Sequence, residues 1–281
     1  MPTFDITGPV TATLDVVVGD VRVNAGDHDA LVVDVRPTDG SNDEDVRAAE
    51  HTRVEYADGR LLVKVPKLRS WLPRSAGGSV DVTVELPAGS QLRASGQMTD
   101  FACDGSLGDC RIVTGLGYIV LDSADRPVLK TGIGDVIVDR AAGHAEVTVG
   151  SGEVRVRELG ATAAIKNSNG DTWVGVARGD LRVSAANGSV AVDVAHASVV
   201  AKSSNGDVRL GEAAGGPVVL ETRLGDVEVG IPEGTSAWLD ARARAGRVQN
   251  ALDEAQAPEP TAETVEVRAR TSAGNVVVRR P

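Results

Sequence analysis

Five acids stand at near-regular intervals along the chain, Asp135, Glu153, Asp171, Asp207 and Asp226, and each follows a glycine. Carboxylates on a fixed period are the residue type that binds a hard cation, because calcium takes six to eight oxygen ligands. Nine-residue repeats carrying Asp also build calcium-binding β-rolls. Two departures weigh against that chemistry here: Ser189 interrupts the ladder, and the paired glycines and the Asp two residues after Gly that mark such rolls are missing. The same residues support a second reading. Gly170, Gly188 and Gly206 supply positive φ at a tight corner, Asn169, Asn187 and Asn205 stack one above another, and the acid bonds turn amides. The corner reading is preferred, and calcium stays open as its alternative.

Other site chemistries find less. Gly115-Leu-Gly117 and Gly132-Ile-Gly134 look like pieces of a phosphate loop, but no G-x-x-x-x-G-K-[ST] follows either. His28, His51, His144 and His196 form no H-E-x-x-H, and no G-x-S-x-G elbow occurs. Aromatic residues make up only 2% of the chain, so a sugar-processing cleft lacks its stacking platforms. The expectation is a protein that is not an enzyme and needs no cofactor.

Two groups of residues could instead make contacts. Trp173 is expected to face outward one coil from Arg155, a cation–π distance, with Arg209 on the same face; an exposed Trp among arginines is a usual contact anchor. Val218 is expected to face outward in the same way. The second group is the basic stretch Lys67-Leu-Arg-Ser-Trp-Leu-Pro-Arg74, whose Arg69, Trp71 and Arg74 suit a partner or the surface of a membrane.

The elements that must position these residues are legible from a repeat. Asn167-Ser-Asn-Gly-Asp-Thr-Trp-Val-Gly175 recurs thirty-six residues later as Ser203-Ser-Asn-Gly-Asp-Val-Arg-Leu-Gly211. Stepping by nine from Gly134 to Gly215 meets Gly or Ala each time. The second and fourth residues after these ten nodes are apolar at eighteen of twenty positions, with Thr172 and Pro217 the exceptions, more than twice what a 42% hydrophobic composition supplies. A period of two locked to a period of nine excludes helix. Alternate nodes (Gly134, Gly152, Gly170, Gly188, Gly206) are all glycine, so the structural repeat is eighteen residues, two strands and two corners. Such a coil stacks on itself as an all-β, single-stranded β-solenoid, with parallel strands about 4.8 Å apart.

Upstream, Ser90, Thr99, Gly108 and Gly117 keep the register, which places Cys103 and Cys110 inside as two buried thiols. Downstream, Gly225 (Val227, Val229) and then Gly234 (Ser236, Trp238) continue it after a one-residue slip. Three parts result. Residues 1–88 form an N-terminal β-rich cap, residues 89–250 the solenoid, and residues 251–281 an acidic loop and closing strands near 265–270 and 275–280. Within the cap, strands fall near 10–18, 20–25 and 31–36. Ser41-Asn-Asp-Glu44 opens a short helix as a capping box, and Asp58-Gly59 turns a hairpin. The cap would cover a strand edge that otherwise invites pairing with other chains.

A net charge of −11 opposes sequence-independent binding to nucleic acid. No apolar run reaches the length of a membrane-spanning helix, and Met1-Pro-Thr-Phe-Asp-Ile-Thr-Gly has neither the basic nor the apolar region of an export signal, so the expected location is cytoplasmic.

Four units, Gly19-Asp-Val-Arg-Val23, Gly134-Asp-Val-Ile-Val138, Gly206-Asp-Val-Arg-Leu210 and Gly225-Asp-Val-Glu-Val229, give the chain a resemblance to the bacterial toastrack family of adhesin-like β-strand-repeat domains, over about 10 to 280. The resemblance implies a right-handed β-helix without catalytic residues, and relatives tied to surface adhesion or cell-envelope stress sensing. The resulting expectation is a protein-interaction module, monomeric or weakly self-associating, in an envelope-stress or regulatory complex. The alternatives are a self-assembling scaffold resembling the bactofilins and a calcium-binding roll.

Overall fold

Glycine is required at one corner of each coil because the backbone there turns through positive φ and lies directly on the coil before it. The computed structural model describes residues 2–66, 78–252 and 264–281, and the chain forms two compact units, Met1–Ala142 and Gly143–Pro281. Both are built almost wholly from β-strands that pair in parallel, coil on coil, as a β-solenoid does.

The first unit begins with β1 (Thr3–Asp5), β2 (Thr11–Gly26), β3 (Ala30–Pro37) and helix α1 (Asp43–Glu50). It continues with β4 (Arg53–Ala57), β5 (Arg60–Lys64), β6 (Val80–Pro87), β7 (Gln91–Leu116), β8 (Ile119–Ile133) and β9 (Val136–Ala141). Order in space departs from order in the chain: β2 lies between β6 and β7 and runs parallel to both, so Val21 is opposite Val82 on one side and Phe101 on the other. β5 pairs with the first part of β2, and β3 and β4 close the far edge antiparallel to β6 and β5. β7, β8 and β9 stack onward in parallel, with a bulge between Cys103 and Ser106 that shortens the offset from eighteen residues (Phe101 opposite Ile119) to seventeen (Asp109 opposite Arg126).

The hairpin forms where Asp58-Gly59 predicts it, with both residues at positive φ (50° and 72°), as a two-residue turn between twisted strands requires. The helix starts one residue later than the capping box implies. Asn42 is the cap and accepts the Glu44 amide at 2.9 Å, because the Ser41 amide and hydroxyl are both taken by Asp39 Oδ1, at 2.8 and 2.7 Å.

The second unit holds the regular coils. Its strands are β10 (Ala145–Ser151), β11 (Val154–Leu159), β12 (Ala163–Asn169), β13 (Thr172–Ala177), β14 (Leu181–Asn187), β15 (Val190–Ala195) and β16 (Val199–Asn205). They are followed by β17 (Val208–Ala213), β18 (Val218–Leu224), β19 (Val227–Gly230), β20 (Ser236–Ala245), β21 (Val248–Asn250), β22 (Thr264–Ala273) and β23 (Val276–Arg279). Even-numbered strands stack in one row and odd-numbered in another, and from β10 to β17 each is eighteen residues from the last in its row, as in Ala163 opposite Leu181 and Thr172 opposite Val190. Every inward position expected from Val136 to Leu210 is buried, Thr172 included.

Two expectations fail beyond Leu210. The slip falls at Gly216 (φ 72°), earlier than Gly225, so Val218 and Leu220 point inward while Val219 is half-buried and Pro217 exposed. Val218 is therefore core rather than surface. The coil after β18 and β19 is also not the next one in the chain. β22 and β23 stack there, and β20 and β21 lie outside them, with Trp238 55% exposed instead of inside.

Cys103 and Cys110 are free, buried thiols. Burial pushes Cys110 up to about 12, and burial with the neighbouring Cys110 and Asp104 pushes Cys103 well above the usual thiol range. Neither is a thiolate at neutral pH. Iodoacetamide at pH 8 is expected to leave both unmodified in the folded protein and to alkylate both in urea, as mass spectrometry would show; rapid labelling of the folded chain would contradict the burial.

At the corners, Gly134, Gly152, Gly170, Gly188, Gly206 and Gly225 all have φ between 127° and 146°, whereas Gly143 and Gly179 at the other corner do not have positive φ. A Cβ on Gly188 would sit 2.1 Å from the Gly170 carbonyl oxygen, whereas one on Gly59 meets nothing within 4 Å. Gly188→Ala should therefore lower stability by about 2–4 kcal/mol and Gly59→Asn by no more than about 1 kcal/mol, measured by urea unfolding. Equal losses would refute contact between coils as the reason for the glycine column.

Candidate functional site

Three of the five carboxylates that could have held a cation are engaged with backbone. Asp171 Oδ1 accepts the Ser189 amide at 2.7 Å, Asp207 Oδ1 the Asp226 amide at 2.7 Å, and Asp226 Oδ1 the Asn275 amide at 2.6 Å. Where the ladder is interrupted, the Ser189 hydroxyl takes the same role toward the Asp207 amide at 3.4 Å. Each of these three acids thus receives the corner amide of the following coil. Glu153 pairs with Arg155, and Asp135 belongs to the last turn of the first unit. Among the described residues, no three His, Cys, Asp or Glu side chains gather as a metal site.

The repeated stretch around Asn-Gly-Asp resolves into two further columns. Asn187 Nδ2 donates to Asn169 Oδ1 at 2.9 Å and Asn205 Nδ2 to Asn187 Oδ1 at 2.7 Å, an amide ladder beside the glycines. Two residues earlier, and inward, Asn167 and Ser203 donate to the carbonyls of Gly152 and Gly188 at 3.0 and 2.9 Å. Thr222 and Thr271 continue that role toward Gly206 and Gly225, both at 2.8 Å. Sequence reasoning missed this inner column. Its signal was a hydroxyl or amide at the one inward position three residues before a corner glycine.

In the first unit, Asp81, Asp20 and Asp100 occupy one register column across β6, β2 and β7. Partial burial raises Asp20 above the usual carboxylate range, and the two flanking charges add to it.

The predicted contact residues of the second unit do share one outward column. Arg155 is opposite Trp173, Trp173 opposite Ala191, and Ala191 opposite Arg209. Trp173 is 37% exposed, and its Nε1 donates to Asp193 Oδ1 at 3.2 Å. The Arg155 guanidinium is turned to Glu153, at 3.1 Å from Nε and 2.9 Å from Nη2, and Arg209 lies 3.7 Å from Glu228. Glu153, Val154, Arg155, Asp171 and Trp173 line a shallow depression of about 310 Å³. Arg69, Trp71 and Arg74 lie outside the described residues.

A larger feature has no counterpart in the sequence reading. The outer faces of β14, β16, β18, β22 and β20 form a groove of about 890 Å³ lined by Lys202, Arg223, Arg242, Arg244 and Arg270 against one acid, Glu221. On a protein of net charge −11 this concentration of cations is local. Asp240 at its margin accepts Arg242 Nε and Arg270 Nη2, both at 2.7 Å, and the Arg270 hydrogen bond holds its carboxyl below the usual range. The groove suits a ligand bearing carboxylate or phosphate. It was not visible in the sequence because β22 and β20 become neighbours of β18 only through their changed order in space.

Coils that meet at glycine corners, with their acids, amides and hydroxyls turned to the next coil's backbone, define a domain of the β-strand-repeat solenoid class. The model of the Toastrack DUF4097 family matches residues 16–279, and the chain belongs to that family. Among solved structures it is similar to a candidate adhesin from Bacteroides fragilis (12% identity, 100% of this chain and 95% of that one, TM-score 0.42). It is also similar to a candidate lipid-binding protein from Parabacteroides distasonis (10% identity, 98% and 95%, TM-score 0.45) and to a candidate adhesin from Parabacteroides merdae (10% identity, 99% and 94%, TM-score 0.33). No curated protein matches the chain. Among the described residues, no helix is long and apolar enough to cross a membrane.

The two roles open to the acid ladder differ in what a substitution does. Asp171→Asn keeps an oxygen for the Ser189 amide and should leave stability within about 0.5 kcal/mol, while Asp171→Ala should cost about 1–2 kcal/mol in urea unfolding, with or without calcium. Equal losses for both variants, appearing only with calcium, would restore the cation reading.

Proposed function

We propose that this protein is a non-enzymatic interaction module whose solenoid presents a protein-binding surface on the odd-numbered strands of the second unit. One observation carries the reading: the side chains able to do chemistry at the corners are hydrogen-bonded to neighbouring coils, whereas Trp173 stands outward on a rigid sheet in line with Arg155 and Arg209. A half-exposed indole held in orientation by Asp193 and flanked by charge is the kind of anchor that dominates binding at interfaces. The sheet beneath it is fixed by parallel pairing on both sides, so little ordering is needed on binding. The regulatory or envelope-stress setting belongs to this proposal and rests on the family resemblance.

The face can be tested by placing a photo-crosslinking amino acid at position 191, opposite Trp173 in the same column, or, as a control, at outward position 200 on the even-numbered row, in cells that make the protein. The expected result is a discrete adduct from position 191 alone, lost when Arg155 and Arg209 are both changed to Glu. Trp173→Ala should change stability by no more than about 1 kcal/mol while abolishing recovery of the same partner. Indistinguishable adducts from 191 and 200, or unchanged recovery with Trp173→Ala, would reject the face.

A further inference from the structure

The second unit ends in space on β20, not on the last strand of the chain. β20 pairs with β22 along one side, and among the described residues no strand lies along its other side. The inward column is open there as well: Leu239, Ala241 and Ala243 are half-buried, whereas Val267, Ala269 and Thr271, opposite them one strand deeper, are buried. Val248 on the adjoining β21 is 46% exposed. A ten-residue strand whose outer amides and carbonyls have no strand partner among the described residues, above a half-covered core, is a template for another strand.

The sequence of that strand says which one. Residues directly opposite in an antiparallel pair lie on the same face. A second copy of β20 set antiparallel with Ala241 opposite Ala241 brings Asp240 of each copy opposite Arg242 of the other, and Trp238 opposite Arg244. Inside, the same register sets Leu239 opposite Ala243 and Ala237 opposite Ala245. Both outer pairs are complementary, one an ion pair and the other a cation over an indole, and both inner pairs are apolar. Trp238, Arg242 and Arg244 are exposed; Arg242 is paired with Asp240 of its own chain at 2.7 Å and would exchange that carboxylate for the one opposite it, and Arg244 makes no ion pair among the described residues. Asp240 is already placed by Arg270, so each carboxylate is oriented before the partner arrives.

We propose that two copies of this chain pair edge to edge through β20 as an isologous antiparallel dimer centred on Ala241. A two-fold contact of this kind consumes the edge in both copies and closes, so no larger assembly follows. The proposal uses a different face from the Trp173 surface, and either can fail alone.

Light scattering behind size exclusion, over about three decades of concentration, should show the mass rising from one chain to two and stopping there. Arg244→Glu, a change at an exposed side chain, should raise the dimer dissociation constant about tenfold or more through loss of the two Trp238 contacts. The charge exchange Asp240→Arg with Arg242→Asp should dimerise more tightly than Arg242→Asp alone. Circular dichroism would establish that each variant keeps its β signal. Trp238 emission, taken as the difference from Trp238→Phe, should shift to the blue as the dimer forms. A single chain at every concentration, mass growth past two, a dimer indifferent to Arg244→Glu, or a monomer that instead binds a synthetic alternating Glu–Val peptide at this edge would each overturn the proposal.

Discussion

Backbone lying on backbone at a glycine corner is the constraint on which the solenoid depends. Successive coils approach so closely there that a Cβ on Gly170, Gly188 or Gly206 would stand 2.1 to 2.2 Å from the carbonyl oxygen of the glycine beneath it. Coils spaced by strand hydrogen bonds cannot separate to admit a methyl group without breaking the ladders on both sides of the corner. The eighteen-residue repeat, the small inward side chains and the flat stacking all follow from holding that spacing.

Packing backbone so tightly leaves amides and carbonyls at each corner that the strands do not pair, and the polar residues of the repeat meet that need. An acid after the glycine receives the next coil's amide, an inward hydroxyl or Asn reaches the previous corner's carbonyl, and the exposed asparagines bond one another. Asn167 shows the limit of the device. Its Nδ2 is within 3.5 Å of four acceptors, while its buried Oδ1 has no donor among the described residues. Ser203, at the equivalent place two coils on, donates its one proton and leaves no amide oxygen to satisfy. Residue types that resemble metal or phosphate chemistry in a list of letters thus serve the architecture, and the outer faces of the strands are the surface on which the proposed recognition rests. Those faces differ: the odd-numbered row carries Trp173 and paired arginines, the even-numbered row a cationic groove on an anionic protein.

The repeat, the inward positions from Val136 to Leu210, the hairpin turn and the alternation of corner types were legible in the sequence, because each depends on neighbours a fixed number of residues away. A strand's two faces alternate with period two and its corner recurs with period eighteen, whatever else the chain does. Trp173, Arg155 and Arg209 were placed in one column for the same reason. What only the tertiary structure decided is the order of strands where the period is lost: β2 set between β6 and β7, and β22 between β18 and β20. Hydrogen-bonding edges of parallel strands are chemically alike, so a strand with the right alternation fits several places in a stack, and the choice falls to burial. β22 offers Val265, Val267 and Ala269 to the open column, where all three are buried, while β20 offers Ala237, Leu239 and Ala241 and takes the outside. That choice sets Arg270 and Arg242 in one groove with Lys202, leaves β20 without a strand along one side among the described residues, and so creates the groove and the edge that no spacing along the chain announces.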